Sequence, residues 1–236
     1  MNREIGIKFL IWSYFNLDCS ECKKDVIDRC IELAYKDATN QGAFNAIKDK
    51  GQYNKEEAKN SISEWLEKGF SKSFDERHNE LCETLCSCYT KGDNEKSPAF
   101  SYGNAQKWVN MTVKYLYIYR SLMLALDAEN DFCSFYDEKL YPFEEYFHVP
   151  IDSFIMQAIW PEDKEDTDWI PGKKLPKSGP GNYSDSKHTP WSKFSKEDYY
   201  SVQDHIKSIS GKSPMEWENP RWIQVARERK KNGSDK

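Results

Sequence analysis

A glycine, a lysine and an aspartate are the residues of this chain best suited to chemistry. Gly103 and Lys107 stand at the start of a long apolar-periodic segment, and Asp152 opens a short one. A glycine-bearing turn before a helix exposes N–H groups at the positive end of the helix dipole, where a phosphate can bind. A lysine there can act as a nucleophile, and the aspartate can stabilise a cation or act as a base. Cleavage of an N-glycosidic bond needs such groups, because the sugar becomes oxocarbenium-like as the base departs.

Two short segments carry a resemblance to a known superfamily. The run from Gly103 to Lys107, followed by Asn110, resembles the second half of the hairpin in helix-hairpin-helix DNA glycosylases. The run from Val149 to Phe154 is similar to the segment that holds their catalytic aspartate. The resemblance implies that Lys107 is the nucleophile and Asp152 the essential carboxylate. It also implies that residues 127–147 are an insertion between the two segments.

Residues beside the catalytic pair are predicted to contact the substrate. Three belong to the glycine turn and one precedes the aspartate by four positions; they are Gly103, Asn104, Gln106 and His148. The predicted substrate is a nucleic acid, held through a local basic patch. No metal and no cofactor is predicted for this site.

A broader resemblance covers three parts of the chain. The run AQKWVNMTVKYL, the Pro-Ile-Asp segment and the C-terminal helix that bears Met215 to Glu218 are together similar to a family of bacterial proteins with no assigned activity. This resemblance implies a bacterial origin and a helical fold.

Structural interpretations of the same residues remain open. Asp152 is a good N-cap for the helix that follows, with Ile151 as a hydrophobic staple. Lys107 could be a solvated lysine at a helix start, because lysines are mostly exposed, and Gly103 would then be only a turn. The alternative to an enzyme is a non-catalytic helical module that binds a protein or nucleic acid.

The cysteines are a second candidate site. Cys19 and Cys22 have zinc-knuckle spacing, and Cys82, Cys86 and Cys88 could supply further thiolates. A second CxxC is missing, so buried thiols without zinc are the prediction. The acidic run at 162–168 could bind Mg²⁺ or Ca²⁺, but its spacing departs from the calcium loop and favours a solvated segment.

Composition limits the classes of function. The net charge of −5 argues against a protein held to nucleic acid by bulk charge, although a local basic groove is compatible with it. No run approaches the roughly 18 apolar residues of a membrane span, and no secretion signal is recognisable. The seven cysteines are an odd number, which favours reduced thiols and a cytoplasmic location.

The hydrophobic periodicity predicts one all-α domain over residues 1–236, with seven to ten helices. The helix at about 104–127 has apolar residues around much of its circumference and is predicted to be central. Residues 5–15 could form a helix or a strand, Asp18 or Ser20 is predicted to cap the second helix, and 131–146 is predicted to be irregular. Residues 161–190 are predicted to form a long Pro/Gly-rich loop, and residues 227–236 a basic, frayed tail.

Overall fold

The computed structural model describes residues 3–40, 54–70, 74–89, 100–160, 169–171, 189–211 and 213–233. Within these ranges the chain is all-α, as predicted, and contains no strand. The α-helices are α1 (Arg3–Phe15), α2 (Lys23–Thr39), α3 (Lys55–Glu67), α4 (Phe74–Cys88), α5 (Tyr102–Ala125), α6 (Asp131–Lys139), α7 (Ser153–Ala158), α8 (Lys196–Ser210) and α9 (Pro214–Gly233). Short 3₁₀ helices span Tyr141–Tyr146 and Trp191–Lys193.

Helix α5 is the centre of the fold, as its apolar coverage predicted. It packs against α1, α2, α4, α6 and α8 and against the 3₁₀ helix at Trp191–Lys193. Most of its residues are buried, including the polar residues Asn104, Gln106 and Asn110. A helix surrounded on all sides cannot keep one polar face for solvent, so these amides must find partners inside the protein.

Side-chain caps define where several helices begin. Ser101 and Asn104 form a capping box at α5, and Ser195 and Asp198 form the box predicted at α8. Asp152 caps α7 by accepting from two backbone N–H groups, as predicted. These bonds satisfy donors that have no partner within the helix.

The buried apolar residues form two clusters. The larger cluster contains residues from each of the first six helices, α1 through α6, and also Met215 of α9. The smaller one joins the segment from Val149 onward with α7, Trp191 and α8. Tyr102, at the start of α5, packs against both clusters. The start of α5 is therefore where the two parts of the core meet.

Two predictions, one for residues 131–146 and one for the start of α2, are wrong. Residues 131–146 are helical rather than irregular, because Asn130 caps α6 and Pro142 favours the start of the 3₁₀ helix that follows Leu140. The N-cap of α2 is Cys22, and Asp131 accepts from the Lys23 N–H at 2.7 Å, so neither Asp18 nor Ser20 is the cap.

The first and the last stretches that the structure describes are also helical. Residues 5–15, for which the sequence left both a helix and a strand open, lie within helix α1. Of the basic tail predicted at 227–236, residues 227–233 continue helix α9, and residues 234–236 lie outside the described residues. The predicted loop at 161–190 lies largely outside the described residues, as does the acidic run at 162–168. In the part of the chain that is described, no helix is both long enough and apolar enough to cross a membrane.

Candidate active site

A pocket of about 460 Å³ opens beside the middle of α5. Its floor is one face of that helix, formed by Lys107, Met111, Lys114, Tyr115 and Ile118. The other lining residues come from several elements or their flanks: Tyr14, Asp37, Asp152, Phe154, Trp191, Glu218, Asn219 and Trp222. The pocket thus combines aromatic rings with two ammonium groups and three carboxylates.

Lys107 and Asp152 meet in this pocket. The Lys107 Nζ donates to Asp152 Oδ2 at 2.8 Å, and the two side chains are 7% and 17% exposed. The alternative interpretation of Lys107 as a solvated lysine is therefore wrong. Asp152 Oδ2 also accepts from the Trp222 indole N–H at 3.3 Å, and Lys107 lies 5.9 Å from the centre of the Trp191 ring.

The two oxygens of Asp152 have different partners. Oδ1 accepts from the N–H groups of Phe154 and Ile155 at 2.9 and 3.0 Å, while Oδ2 faces Lys107 and Trp222. Burial opposes ionisation of this carboxyl group. The Lys107 charge and the hydrogen bonds outweigh burial and hold the pKa of Asp152 below its usual value. The carboxylate is consequently charged at neutral pH.

A second buried ion pair lies two helical turns along the same floor. Lys114 Nζ donates to both oxygens of Glu218, at 2.8 and 2.6 Å. The Glu218 side chain is 1% exposed and that of Lys114 is 12% exposed. Burial raises the pKa of Glu218, and the nearby Asp152 charge adds to this effect, while Lys114 opposes it.

The far wall of the pocket carries a third carboxylate. Tyr115 donates a hydrogen bond to Asp37, and the Tyr14 hydroxyl donates to the Tyr115 oxygen at 3.3 Å. With Asp152 and Glu218, Asp37 gives three carboxylates against the two lysines, a formal charge of −1 in the lining. The pocket is not basic, in contrast to the basic cleft that a nucleic-acid site was expected to have.

The segment that leads to Asp152 is held by two buried glutamines. Gln203 of α8 accepts from the Val149 N–H at 3.3 Å and donates to the Val149 carbonyl at 2.6 Å. Gln106 of α5 accepts from the Ile151 N–H at 3.5 Å and donates to the Ile151 carbonyl at 3.4 Å. Each glutamine bonds both the backbone N–H and the backbone carbonyl of one residue in this segment. The backbone that leads to Asp152 is therefore held by α5 and α8 together.

Gly103 brings the 3₁₀ helix against the start of α5. A Cβ atom on Gly103 would lie 1.9 Å from the Trp191 carbonyl oxygen. The Gly103 N–H donates to the Phe194 carbonyl at 3.2 Å, and the Ser101 hydroxyl donates to the Ser192 carbonyl at 2.7 Å. Only a residue without a side chain allows this approach, which places the Trp191 ring over the pocket.

The four residues predicted to contact a substrate do not line the pocket. Gly103 packs on the Trp191 backbone, and Gln106 supports Ile151. Asn104 is buried in the capping box and donates to the Ala38 carbonyl at 2.7 Å. His148 bonds to Tyr199 and Asp75, away from the pocket lining. In this structure Gln106 supports the segment that leads to Asp152, and Gly103 allows the close packing of Trp191.

A chain of buried hydrogen bonds runs behind the pocket. His78 Nε2 donates to Asn110 Oδ1 at 2.9 Å, since an amide oxygen can only accept. Asn110 donates to the Tyr199 hydroxyl at 3.0 Å, Tyr199 donates to His148 Nδ1 at 2.6 Å, and His148 Nε2 donates to Asp75 at 2.8 Å. His148 must be neutral to accept from Tyr199, and burial favours the neutral form of His78.

Acid should therefore destabilise the fold well above the range where carboxylates titrate. Burial lowers the pKa of His78 to about 3 and also lowers the pKa of His148. A histidine with a depressed folded pKa contributes stability above about pH 6.5 that is lost as the pH falls towards the folded value. We expect the titration of His78 to lower the unfolding free energy by about 1.4 kcal/mol per pH unit, and His148 to act in the same direction.

The measurement is urea unfolding between pH 7 and pH 5. His78→Gln keeps a donor for Asn110 but does not titrate, so its stability should depend less steeply on pH. Asp75 does not contribute in this window, because the hydrogen bond from His148 lowers its pKa to about 2. A His78→Gln protein with the full wild-type slope would contradict the assignment.

Sequence reasoning missed Lys114, Glu218, Trp191 and Trp222. Two signals were available for the charged pair. Lys114 is seven residues after Lys107 and so falls on the same helix face, and Glu218 is a charged residue on the apolar stripe of α9 between Met215 and Trp222. The two aromatic residues have no local signal.

The cysteines form no metal centre among the described residues. All seven are free, and no group of three or more histidine, cysteine, aspartate or glutamate side chains in those ranges could hold a metal ion. Cys30 and Cys82 are buried, and burial raises the pKa of both thiols.

Comparisons with protein-family models, with curated protein sequences and with solved structures gave no match to this chain.

Proposed function

We propose that this protein hydrolyses the N-glycosidic bond of a base turned out of a nucleic acid into the pocket. Asp152 is the carboxylate that faces the developing oxocarbenium ion. The observation that carries the proposal is a charged Asp152 set among the rings of Trp191, Trp222 and Phe154. Aromatic rings stack on a flipped base, and a fixed negative charge stabilises the cationic sugar.

Lys107 has a different role from the one implied by the glycosylase resemblance. A lysine nucleophile must be a free amine, but Lys107 donates to Asp152 at 2.8 Å and so acts as an ammonium group. Lys107 therefore keeps Asp152 ionised and in place. The proposed reaction is base release without Schiff-base formation or strand cleavage.

The basic end of α9 supplies the local positive patch that a nucleic acid needs. Arg227, Lys230 and Lys231 are exposed there. Arg229 stacks on Phe154 at 4.0 Å and donates to the Ser153 carbonyl at 2.7 Å, so this end of α9 adjoins the pocket. Phosphates bound along α9 would position a base over Asp152.

The test uses duplex DNA with single lesions: uracil, hypoxanthine, 7-methylguanine or 8-oxoguanine. Base release is scored by alkaline cleavage at the abasic site, and any Schiff base is trapped with borohydride. We expect release from at least one duplex and no trapping. Asp152→Asn should reduce release by about 10²–10³-fold, the typical effect of removing one electrostatic contact to a transition state.

Asp131→Asn is the matched control. Asp131 also accepts from a helix N–H, that of Lys23, but it is not among the pocket residues. Asparagine retains the capping oxygen at both positions. Equal losses in the two variants, or no release from any lesion by the wild-type protein, would refute the proposal.

A second candidate function is a non-catalytic interaction module whose protein partner is a second copy of this chain. The observation that favours it is the outer face of α1, where Phe9 is 65% exposed and Trp12 is 57% exposed, with Ile5 and Leu10 alongside. Exposed apolar patches of this kind mark interaction surfaces. This candidate predicts no base release, together with self-association in light scattering that Phe9→Ser and Trp12→Ser weaken and Asp152→Asn does not.

A further inference from the structure

Asp37 is the carboxylate of the pocket that keeps acceptor capacity for a ligand. Among the described residues it accepts from the Tyr115 hydroxyl alone and has no cationic partner. Asp152, by contrast, accepts from four N–H groups, and both oxygens of Glu218 are held by Lys114. A carboxylate offers about four acceptor positions on its two oxygens, so Asp37 can accept further N–H groups from a bound molecule.

The tyrosine that binds Asp37 also fixes the orientation of its carboxylate. Tyr115 is buried, and its hydroxyl donates to Asp37 Oδ2 and accepts from the Tyr14 hydroxyl at 3.3 Å. Asp37 itself is only partly buried, and its Oδ1 has no partner among the described residues. One oxygen of Asp37 is therefore anchored by the protein, and the other remains available at the wall of the pocket.

Asp37 and Asp152 lie apart along the floor of the pocket. Asp152 is bound by Lys107, and Asp37 is bound by Tyr115. These two partners are eight positions apart on α5, which is about 12 Å along the helix axis. A base whose sugar carbon lies at Asp152 therefore extends along the floor towards Asp37. The separation favours a purine, because its two fused rings reach further than the single ring of a pyrimidine.

The Watson–Crick edges of the purines differ in what they offer to a carboxylate. Guanine presents two parallel donors, the N1–H and the 2-amino group, and these match the two oxygens of a carboxylate in a bidentate contact. Hypoxanthine presents the N1–H alone, and adenine has an acceptor nitrogen beside its amino group. Enzymes read a base that is turned out of the helix by hydrogen bonds to this edge, so a carboxylate at the end of the pocket distinguishes these bases.

We propose that Asp37 is a specificity-determining residue and that the site acts on guanine-type bases. This inference rests on the proposed N-glycosidic hydrolysis. A guanine-type base is a purine that keeps the N1–H and the 2-amino group, whatever its substituent at position 7 or 8. Such a base replaces the water that Asp37 loses when the pocket fills, whereas a base without the amino group leaves part of the carboxylate unpaired. Tyr115 is the positioning residue that holds Asp37 for this contact.

The test uses two pairs of lesions placed opposite cytosine in one duplex sequence: 8-oxoguanine with 8-oxohypoxanthine, and 7-methylguanine with 7-methylhypoxanthine. The members of each pair differ only in the 2-amino group. The quantity measured is the ratio of their release rates by one protein preparation, guanine lesion over hypoxanthine lesion, which does not depend on the folded fraction. For the wild type we expect a ratio of about 10–100 in at least one pair, the effect of a hydrogen bond to a charged group.

Three variants complete the design, and since all of them meet the same duplexes, base-pair strength cancels when their ratios are compared. Asp37→Asn keeps an oxygen for the Tyr115 hydroxyl but cannot accept two N–H groups from the base, so its ratio should fall by about 10-fold or more. Tyr115→Phe leaves the carboxylate unanchored, and its ratio should lie between those of Asp37→Asn and the wild type. Asp152→Asn should slow both releases and leave the ratio near its wild-type value.

Failure of the proposed function and failure of the Asp37 role give different results. If the wild-type protein releases no base from any lesion, the proposed function is overturned and the inference with it. If the wild type releases uracil or a hypoxanthine lesion as fast as the guanine lesions, or if Asp37→Asn keeps the wild-type ratio, the inference alone is overturned.

Discussion

Gly103→Ala is expected to destabilise the protein by about 3 kcal/mol or more, at the upper end of overpacking effects. The new Cβ atom would lie 1.9 Å from the Trp191 carbonyl oxygen and 3.2 Å from the Phe194 nitrogen. These neighbours are backbone atoms, so the 3₁₀ helix must move as a unit. Its movement would also draw Trp191 away from the pocket. Urea unfolding followed by tryptophan fluorescence measures both effects.

Gly211→Ala is the matched control for the glycine substitution. Gly211 has φ = 74°, and a Cβ atom there would meet nothing within 4 Å. Its replacement should cost only the backbone strain of an alanine at φ = 74° and ψ = −134°, about 1–3 kcal/mol. If Gly103→Ala were no more destabilising than Gly211→Ala, the close packing of α5 on the 3₁₀ helix would be refuted.

Lys114→Met is expected to destabilise the protein by about 3–5 kcal/mol, because it leaves the Glu218 charge buried without a partner. A protonated Glu218 relieves part of this penalty, so the loss should shrink as the pH is lowered. The double variant Lys114→Met, Glu218→Met removes both charges and should recover most of the stability. Thermal and urea unfolding of the two single variants and the double variant give the coupling free energy directly.

The exposed pair of Glu4 and Lys8 on α1 is the control for this cycle. Both side chains are 55% exposed, although their N–O distance of 2.7 Å is as short as that of the buried pair. Lys8→Met should leave stability within experimental error, because water screens an exposed pair. A Lys114→Met effect as small as that of Lys8→Met would mean that water reaches Glu218.

The helices themselves follow from local sequence. The caps at Asp152 and Ser195 are short-range signals, since the capping oxygen and the N–H groups it binds are at most three residues apart. The contact at the start of α2 could not be predicted in this way, because Asp131 is 108 residues from Lys23. The periodicity of α5 indicated a central helix because nearly every face of it carries apolar residues.

The pocket was only partly predictable. Lys107 and Asp152 were each proposed from their positions at helix starts. The contact between them depends on Gln106 and Gln203, which hold the backbone just before Asp152 in place. The partnership of Lys114 with Glu218 spans 104 residues. No local pattern encodes a contact over that distance, so the second acid of the site became visible only in the fold.

The two oxygens of Asp152 have different functions, one in holding the fold and one in the pocket. Oδ1 belongs to the fold, because it closes the first turn of α7, and Oδ2 belongs to the pocket, because it faces Lys107 and Trp222. A ligand can therefore replace the partners of one oxygen while the other keeps the helix anchored. Ligands can thus bind to Asp152 and leave the pocket while helix α7 keeps its N-terminal cap.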